Sequence, residues 1–284
     1  MSAIITLTTD FGLLDAYVAS MKGVMLDVNP EAMLVDICHN IKPQNISQAA
    51  FVLSTVYQYF PNKAIHLVVV DPGVGTEKRR AIILRTKQGT FVAPDNGVLS
   101  YVIQQSLIEL VNKNGKLSVK GGLKPGETIE VVNITNPRFW RSPVCPTFHG
   151  RDIFAPVASA LSLGFQPIEF GEPVYEVEML SIPRPEKRPS GSLVGHILHI
   201  DYFGNLITNI RGDDLPPIEQ ISSIEVGNQF ISGPVHTYAE GRGLIALISS
   251  SGYLEISLKG GSAGSLLDAK FGDEVKLRSK LGKG

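Results

Sequence analysis

A chain of 284 residues, 43% hydrophobic and 19% charged, is long enough to bury a sizeable core as one large or two modest domains. Its formal net charge of -1 and the lack of any long Lys/Arg block argue against nucleic acid and leave a small molecule as the expected partner. No apolar stretch of about 18 residues and no basic, apolar leader at Met1 are present, so neither a membrane nor export is expected, and the protein reads as cytoplasmic.

In chain order, Ile4 to Thr8 is a short β-run, and after Asp10-Phe-Gly the residues Val18, Met21, Met25 and Val28 recur at helical spacing, with Asp15 as N-cap. Met33 to Ile37 reads as a second strand, followed by Ile46, Ala49, Ala50, Leu53, Val56 and Phe60 on one helical face. Leu67 to Val70 and Ala81 to Leu84 are the third and fourth strands. Thr90 to Ala93 ends in Pro94-Asp95-Asn96-Gly97 before an apolar helical stretch from Val98 to Ile103. Asp152 to Leu163 is helical, with Pro156 in its first turn and Gly164 placed to end it. Such alternation implies an α/β domain over residues 1–181, a mostly parallel sheet between helices.

The prolines, charges and small residues of 182–192 have the composition of an exposed linker. Beyond it, Leu193 to Ile200, Leu206 to Ile210, Ile221 to Val226, Leu244 to Ser249, Tyr253 to Leu258 and Val275 to Leu277 are short runs separated by turn signals. Residues 193–284 are therefore read as a smaller antiparallel β domain, barrel or sandwich.

Asp10, Asp36, Asp71 and Asp95 each lie in or just after a strand, so parallel strands bring several carboxylates to one edge, where ligands of such sheets gather. Crowded carboxylates raise one another's pKa unless a cation compensates, and Arg79, Arg80, a metal or a cationic substrate are the candidates. The bland alternative is that each Asp caps a helix or forms an Asx-turn. Pro146-Thr-Phe-His149-Gly-Arg-Asp152 puts an imidazole, a guanidinium and a carboxylate on one loop entering a helix. It is either site chemistry or a satisfied histidine beside an Arg-Asp pair. His66, His196 and His199 read as structural and His39 as ambiguous, while Cys38 and Cys145 read as buried free thiols. No His-Glu-x-x-His, paired Cys or EF-hand spacing appears, and the glycines after Asp71 fit neither the Walker nor the dinucleotide fingerprint. No metal or cofactor is expected.

Thr9-Asp10-Phe11-Gly12, Val70-Asp-Pro-Gly-Val-Gly-Thr76 with Arg79, Ala93-Pro-Asp-Asn-Gly97, Thr147-Phe-His-Gly-Arg-Asp152, Asp201-Tyr-Phe-Gly-Asn205 and Ser250-Ser-Gly-Tyr-Leu-Glu255 resemble, in order, the motifs of the S-adenosyl-L-methionine (SAM) hydroxide adenosyltransferases. These are the hydrolytic relatives of fluorinase and chlorinase. The resemblance implies an α/β domain followed by a β domain, a homotrimer with active sites between subunits, and attack of water-derived hydroxide on ribose C5′ to give adenosine and methionine. It also implies a catalytic trio of Asp71, Arg79 and His149, with Arg80 as the alternative arginine. The halogenating relatives carry Tyr where this chain has Asp71, and Tyr-Ser where it has His149-Gly150. A carboxylate there repels halide and can polarise water.

By the same resemblance Asp10 takes the ribose hydroxyls, Asp201 the methionine amino group, Ser250 and Ser251 its carboxylate, and Asn205 and Tyr238 the adenine. Where fluorinase has an arginine near the carboxylate this chain has Ser251, and Lys259 stands in place of an asparagine. The competing readings are a metal-dependent phosphoesterase or nucleotidase built on the four acids, and a protein that binds SAM or adenosine without turnover.

Overall fold

The computed structural model describes residues 2–106, 112–113, 116–118 and 129–279. They fall into two compact units, Met1–Ser181 and Ile182–Gly284. The first carries β1 (Ile4–Thr9), α1 (Tyr17–Val28), β2 (Met33–Cys38), α2 (Ile46–Val56), β3 (Ile65–Val69), β4 (Ala81–Thr86), β5 (Gly89–Pro94) and α3 (Ser100–Ser106). Two short strands, β6 (Asn112–Lys113) and β7 (Lys116–Ser118), precede β8 (Ile129–Ile134), α4 (Ala155–Ser162), β9 (Gly171–Pro173) and β10 (Glu176–Glu178).

Seven of these strands form one sheet in the order β2-β1-β3-β5-β4-β8-β9, and β10-β7-β6 form a separate small one. The pairs β2/β1, β1/β3 and β3/β5 are parallel. The pairs from β5 through β4 and β8 to β9 are antiparallel, so the sheet is mixed, with its parallel half holding β1, β3 and β5 side by side. All of β3 is buried, as a strand covered on both faces must be. Alternation along the strands sorts the two faces. Ile5, Leu7, Leu67 and Val69 pack with Met21 and Met25 of α1 and Val157 and Leu161 of α4. On the opposite face Thr6 Oγ1 lies 2.9 Å from His66 Nδ1, the His66 ring stacks on Phe91, and Tyr57 just past α2 closes over both.

Several helix ends depart from expectation. Ala16, not Asp15, occupies the N-cap of α1, and no side chain caps it. The second helix ends at Val56 and continues only as a 3₁₀ turn over Tyr57–Tyr59. Pro61 forces Phe60 into an extended conformation, which stops the helix before the apolar pattern does. A π-helical turn, Gly150–Phe154, precedes α4.

The second unit contains β11 (Glu186–Lys187), β12 (Leu193–Ile200), β13 (Leu206–Arg211), β14 (Ile221–Val226), β15 (Gln229–Ile231), β16 (Leu244–Ile248), β17 (Tyr253–Leu258), α5 (Ala263–Leu267) and β18 (Glu274–Ser279). Its sheet runs β15-β14-β18-β12-β13-β17-β16, antiparallel throughout, and curls until the edge strands β15 and β16 approach one another as a nearly closed barrel. Ile197, Leu206, Ile210, Ile224, Leu254, Ile256 and Val275 fill it. The Pro-rich stretch before the barrel is mostly exposed, but Glu186 and Lys187 already pair with Val194 and Leu193.

Candidate active site

The site in the first unit starts where β3 runs out. After Val70 the chain turns on Asp71-Pro72-Gly73, with Val74 N donating to Asp71 O at 3.2 Å and Thr76 N to Gly73 O at 3.1 Å, and returns through Arg79 and Arg80 into β4. Gly75 has φ +79°, and a Cβ there would stand 2.6 Å from Pro146 O, so this turn admits only glycine against the loop that carries His149.

That contact brings the three predicted catalytic residues together. Arg79 Nη2 lies 3.0 Å from Asp71 Oδ2 and 2.6 Å from His149 Nδ1, and its guanidinium sits over the Phe154 ring at 5.3 Å. Only 7% of the Arg79 side chain and 4% of the Asp71 side chain are exposed, so the pair interacts with little screening. The contact is one of charge, since neither Asp71 oxygen receives an aligned hydrogen bond and Arg79 Nε is without a partner. Buried acceptors of this kind are ready for a donor from a ligand. Burial pushes the Asp71 carboxyl up, Arg79 and then the nearby Gly73 N–H pull it back, and Asp10 adds a smaller push upward. Burial and then Arg79 push the His149 imidazole down, which favours its neutral form. Arg79 can only donate, so Nδ1 of that neutral ring is the acceptor and its proton resides on Nε2.

Arg80 turns the other way. Its Nε donates to Asp95 Oδ2 at 2.9 Å and its Nη2 to Glu176 O at 2.7 Å, so the structure separates the two consecutive arginines. The remaining acids also have partners within the unit. Asp36 is held by Lys22 Nζ at 2.6 Å and His39 Nε2 at 3.0 Å, and Asp10 Oδ2 accepts from Gln44 N at 2.8 Å. His39 Nδ1 meets Thr9 Oγ1 at 2.8 Å, which gives that ambiguous histidine a place beneath the Asp10 turn. The Arg151–Asp152 pair is structural: Asp152 is fully buried and takes Arg151 Nε at 2.7 Å and Cys145 N at 2.8 Å, bracing the His149 loop. Cys38 and Cys145 are free thiols, each part-exposed rather than buried. Among the described residues no group of three or more His, Cys, Asp or Glu side chains is placed to hold a metal ion.

In the second unit Asp201 and Asn205 close one turn between β12 and β13. Asn205 N and Nδ2 donate to the two Asp201 oxygens at 2.8 and 2.9 Å, with Gly204 at φ +83°. Tyr238 Oη donates to Glu255 Oε1 at 2.7 Å, and its ring is half exposed. Burial, then Glu255 and Asp201, push the Tyr238 hydroxyl up to about 12, so it stays a donor. Ser250 and Ser251 sit elsewhere. The β13/β17 register pairs Leu206 with Ile256 and Arg211 with Tyr253, so the Ser250–Ser251 turn lies at the opposite end of that ladder from Asp201–Asn205.

Four neighbours of the predicted site residues carry no expectation from sequence: Asn96, Gln44, Phe154 and Glu255. Asn96 was within the visible Pro94–Gly97 motif, and its side chain reaches Val70 O at 2.9 Å. Glu255 likewise closes the visible Ser250–Glu255 motif, whereas Gln44 contributes only its backbone N–H, from φ +63°, and Phe154 looks like an ordinary helix residue.

Residues 5–171 match the SAM hydroxide adenosyltransferase N-terminal domain and residues 195–276 its C-terminal domain. The chain belongs to the SAM hydroxide adenosyltransferase family. Within curated relatives, it is 35% identical to the (R)-S-adenosyl-L-methionine hydrolase of Salinispora tropica, over 96% of this chain and 97% of that protein. Identity is also 35% to the enzyme of the same name from Methanocaldococcus jannaschii, over 96% and 95%. The crystal structure of an uncharacterized conserved protein from Thermotoga maritima superposes with a TM-score of 0.83 at 32% identity, covering 96% of this chain and 99% of that one.

Proposed function

We propose that this member of the SAM hydroxide adenosyltransferase family hydrolyses SAM to adenosine and L-methionine, with the buried Arg79 that bridges Asp71 and His149 as the observation that carries the reading. The sulfonium leaves as a neutral thioether, so the leaving group needs no acid and the work falls on the nucleophile. Ionised Asp71 accepts a proton from water, the Nε2–H of neutral His149 donates a hydrogen bond to the same oxygen, and Arg79 holds Asp71 charged and fixes the tautomer of His149. In-line positioning of water behind C5′ contributes several kcal/mol, and a placed base about 10²- to 10⁴-fold. No cofactor is required, and the carboxylate disfavours halide as nucleophile. The substrate epimer is the (R)-sulfonium for which the curated relatives are named.

The substrate contacts are proposals of the same kind. Asp10, with one oxygen on Gln44 N, accepts the ribose hydroxyls through the other. Asp201 takes the amino group, while the Asn205 carbonyl and the half-exposed Tyr238 ring take adenine, each already oriented by its partner. The resemblance also offers Ser250 and Ser251 for the carboxylate, but the β13/β17 register sets them a full strand length from Asp201, too far for one methionine head group to reach both within a subunit. The chain works as a cytoplasmic homotrimer in which the first unit of one subunit and the second unit of its neighbour complete each site.

Chelator-treated protein incubated with (R)-SAM should release adenosine and methionine in equal amounts, with no halogenated nucleoside in added chloride or fluoride. Strict dependence on an added divalent metal would defeat this mechanism, and binding without product would point to the non-catalytic alternative.

A further inference from the structure

We propose that the Asp95-Asn96 turn after β5 is a positioning clamp that holds the two ends of the Asp71–Arg79 loop, and so sets the contact between those two side chains. Asn96 Nδ2 donates to Val70 O at 2.9 Å, the carbonyl directly before Asp71. Asp95 N donates to Arg80 O at 2.9 Å, and Asp95 Oδ2 accepts Arg80 Nε at 2.9 Å, so the same turn grips the residue directly after Arg79. Neither residue contacts Asp71 or His149 in any hydrogen bond of the structure; each acts through the chain neighbours of the pair.

The clamp is itself anchored. Asn96 Oδ1 accepts Val98 N at 3.2 Å, and Asp95 Oδ1, on a carboxylate only 2% exposed, accepts Glu178 N at 2.9 Å. Gly97, at φ +92°, lets Leu180 approach to a point where a Cβ would meet Leu180 Cγ at 2.9 Å, and Leu180 N in turn donates to Ser100 Oγ at 2.8 Å. The need for such a device follows from the loop. It turns on Pro72, Gly73 and Gly75, and its two charged side chains are not aligned in a hydrogen bond to each other, so their 3.0 Å separation depends on where the loop ends are held.

This inference rests on the proposed hydrolysis, and the wild-type turnover assay tests that reading separately. A wild type that releases no adenosine sinks the hydrolysis; only an active wild type makes the variants informative. In Asn96→Ala and Asp95→Asn, kcat should fall about tenfold or more, as misplacement near 1 Å can cost up to about a hundredfold, with KM within about threefold of wild type. The charged groups facing Asp71 are Arg79 and Asp10. Weakening the hold of Arg79 leaves burial and Asp10 opposed only by the Gly73 N–H, so the acidic limb of the kcat/KM profile should move to higher pH. Asp95→Glu, which keeps the carboxylate, should recover part of the loss. Arg80→Met removes the same ion pair from its part-exposed side and serves if the buried variants fail to fold. Folded variants that keep wild-type kcat and an unmoved acidic limb would overturn the clamp, as would a loss of melting temperature and kcat together with the limb unmoved.

Discussion

At the residue scale, the proposed hydrolysis places the chemistry on Asp71, and the surroundings of that carboxyl set the expected pH response. Burial raises its carboxyl more than Arg79 lowers it, and only the ionised form accepts a proton. Activity should therefore fall as pH drops, with an acidic limb above the ordinary carboxylate range, and the pH dependence of kcat/KM, which reports the free enzyme, checks this. Asp71→Asn should lower kcat by about 10²- to 10⁴-fold while leaving SAM affinity near wild type, whereas Asp10→Ala should chiefly raise KM. Titration calorimetry with SAM, beside the kinetics, separates the two. That Asp71, Arg79 and His149 come into contact was foreshadowed because each sits in a distinctive string. What sequence left open was which of two adjacent arginines meets Asp71 and His149: the two are alike in type and neighbours in the chain, and only their different partners separate them.

At the element scale the parallel strands β1, β3 and β5 explain why Asp10, Asp71 and Asp95 reach one sheet edge, and their apolar runs made them readable. Helix ends were less readable, since Pro61 and the π turn at Gly150–Phe154 act locally against a continuing apolar pattern. The small strands β9, β10 and β15 carry too few residues for a periodicity. The Ser250–Ser251 turn illustrates a further limit, because a motif gives residues and strand register gives their location. The seam between the Asp71 loop and the His149 loop is set at Gly75. Gly75→Ala adds a left-handed backbone strain of roughly 1–2 kcal/mol to its clash with Pro146 O. It should lower the melting temperature measurably and reduce kcat more than a remote surface substitution does, as thermal melts and steady-state kinetics will show.

At the scale of the whole molecule, the core of the first unit contains a histidine that ties stability to pH. Burial holds His66 at about 4 against an ordinary 6.5, so it is neutral in the fold, and the unfolded chain binds the proton first as acid is added. Stability is thus full above about pH 6.5 and is lost as pH falls toward 4, by about 3 kcal/mol at most from this group. His66→Phe, which keeps the ring against Phe91 and Tyr57, should flatten the loss of melting temperature between pH 6.5 and 4. The two-part chain, α/β then barrel, was legible as a change of periodicity along the sequence. The joining of sites across subunits was implied by resemblance alone. The account stands most directly on the origin of the oxygen in the product: chelated protein given (R)-SAM in oxygen-18 water should yield adenosine labelled once, at the 5′-hydroxyl, with equimolar methionine. Unlabelled adenosine, or a product formed only with added metal, would contradict it.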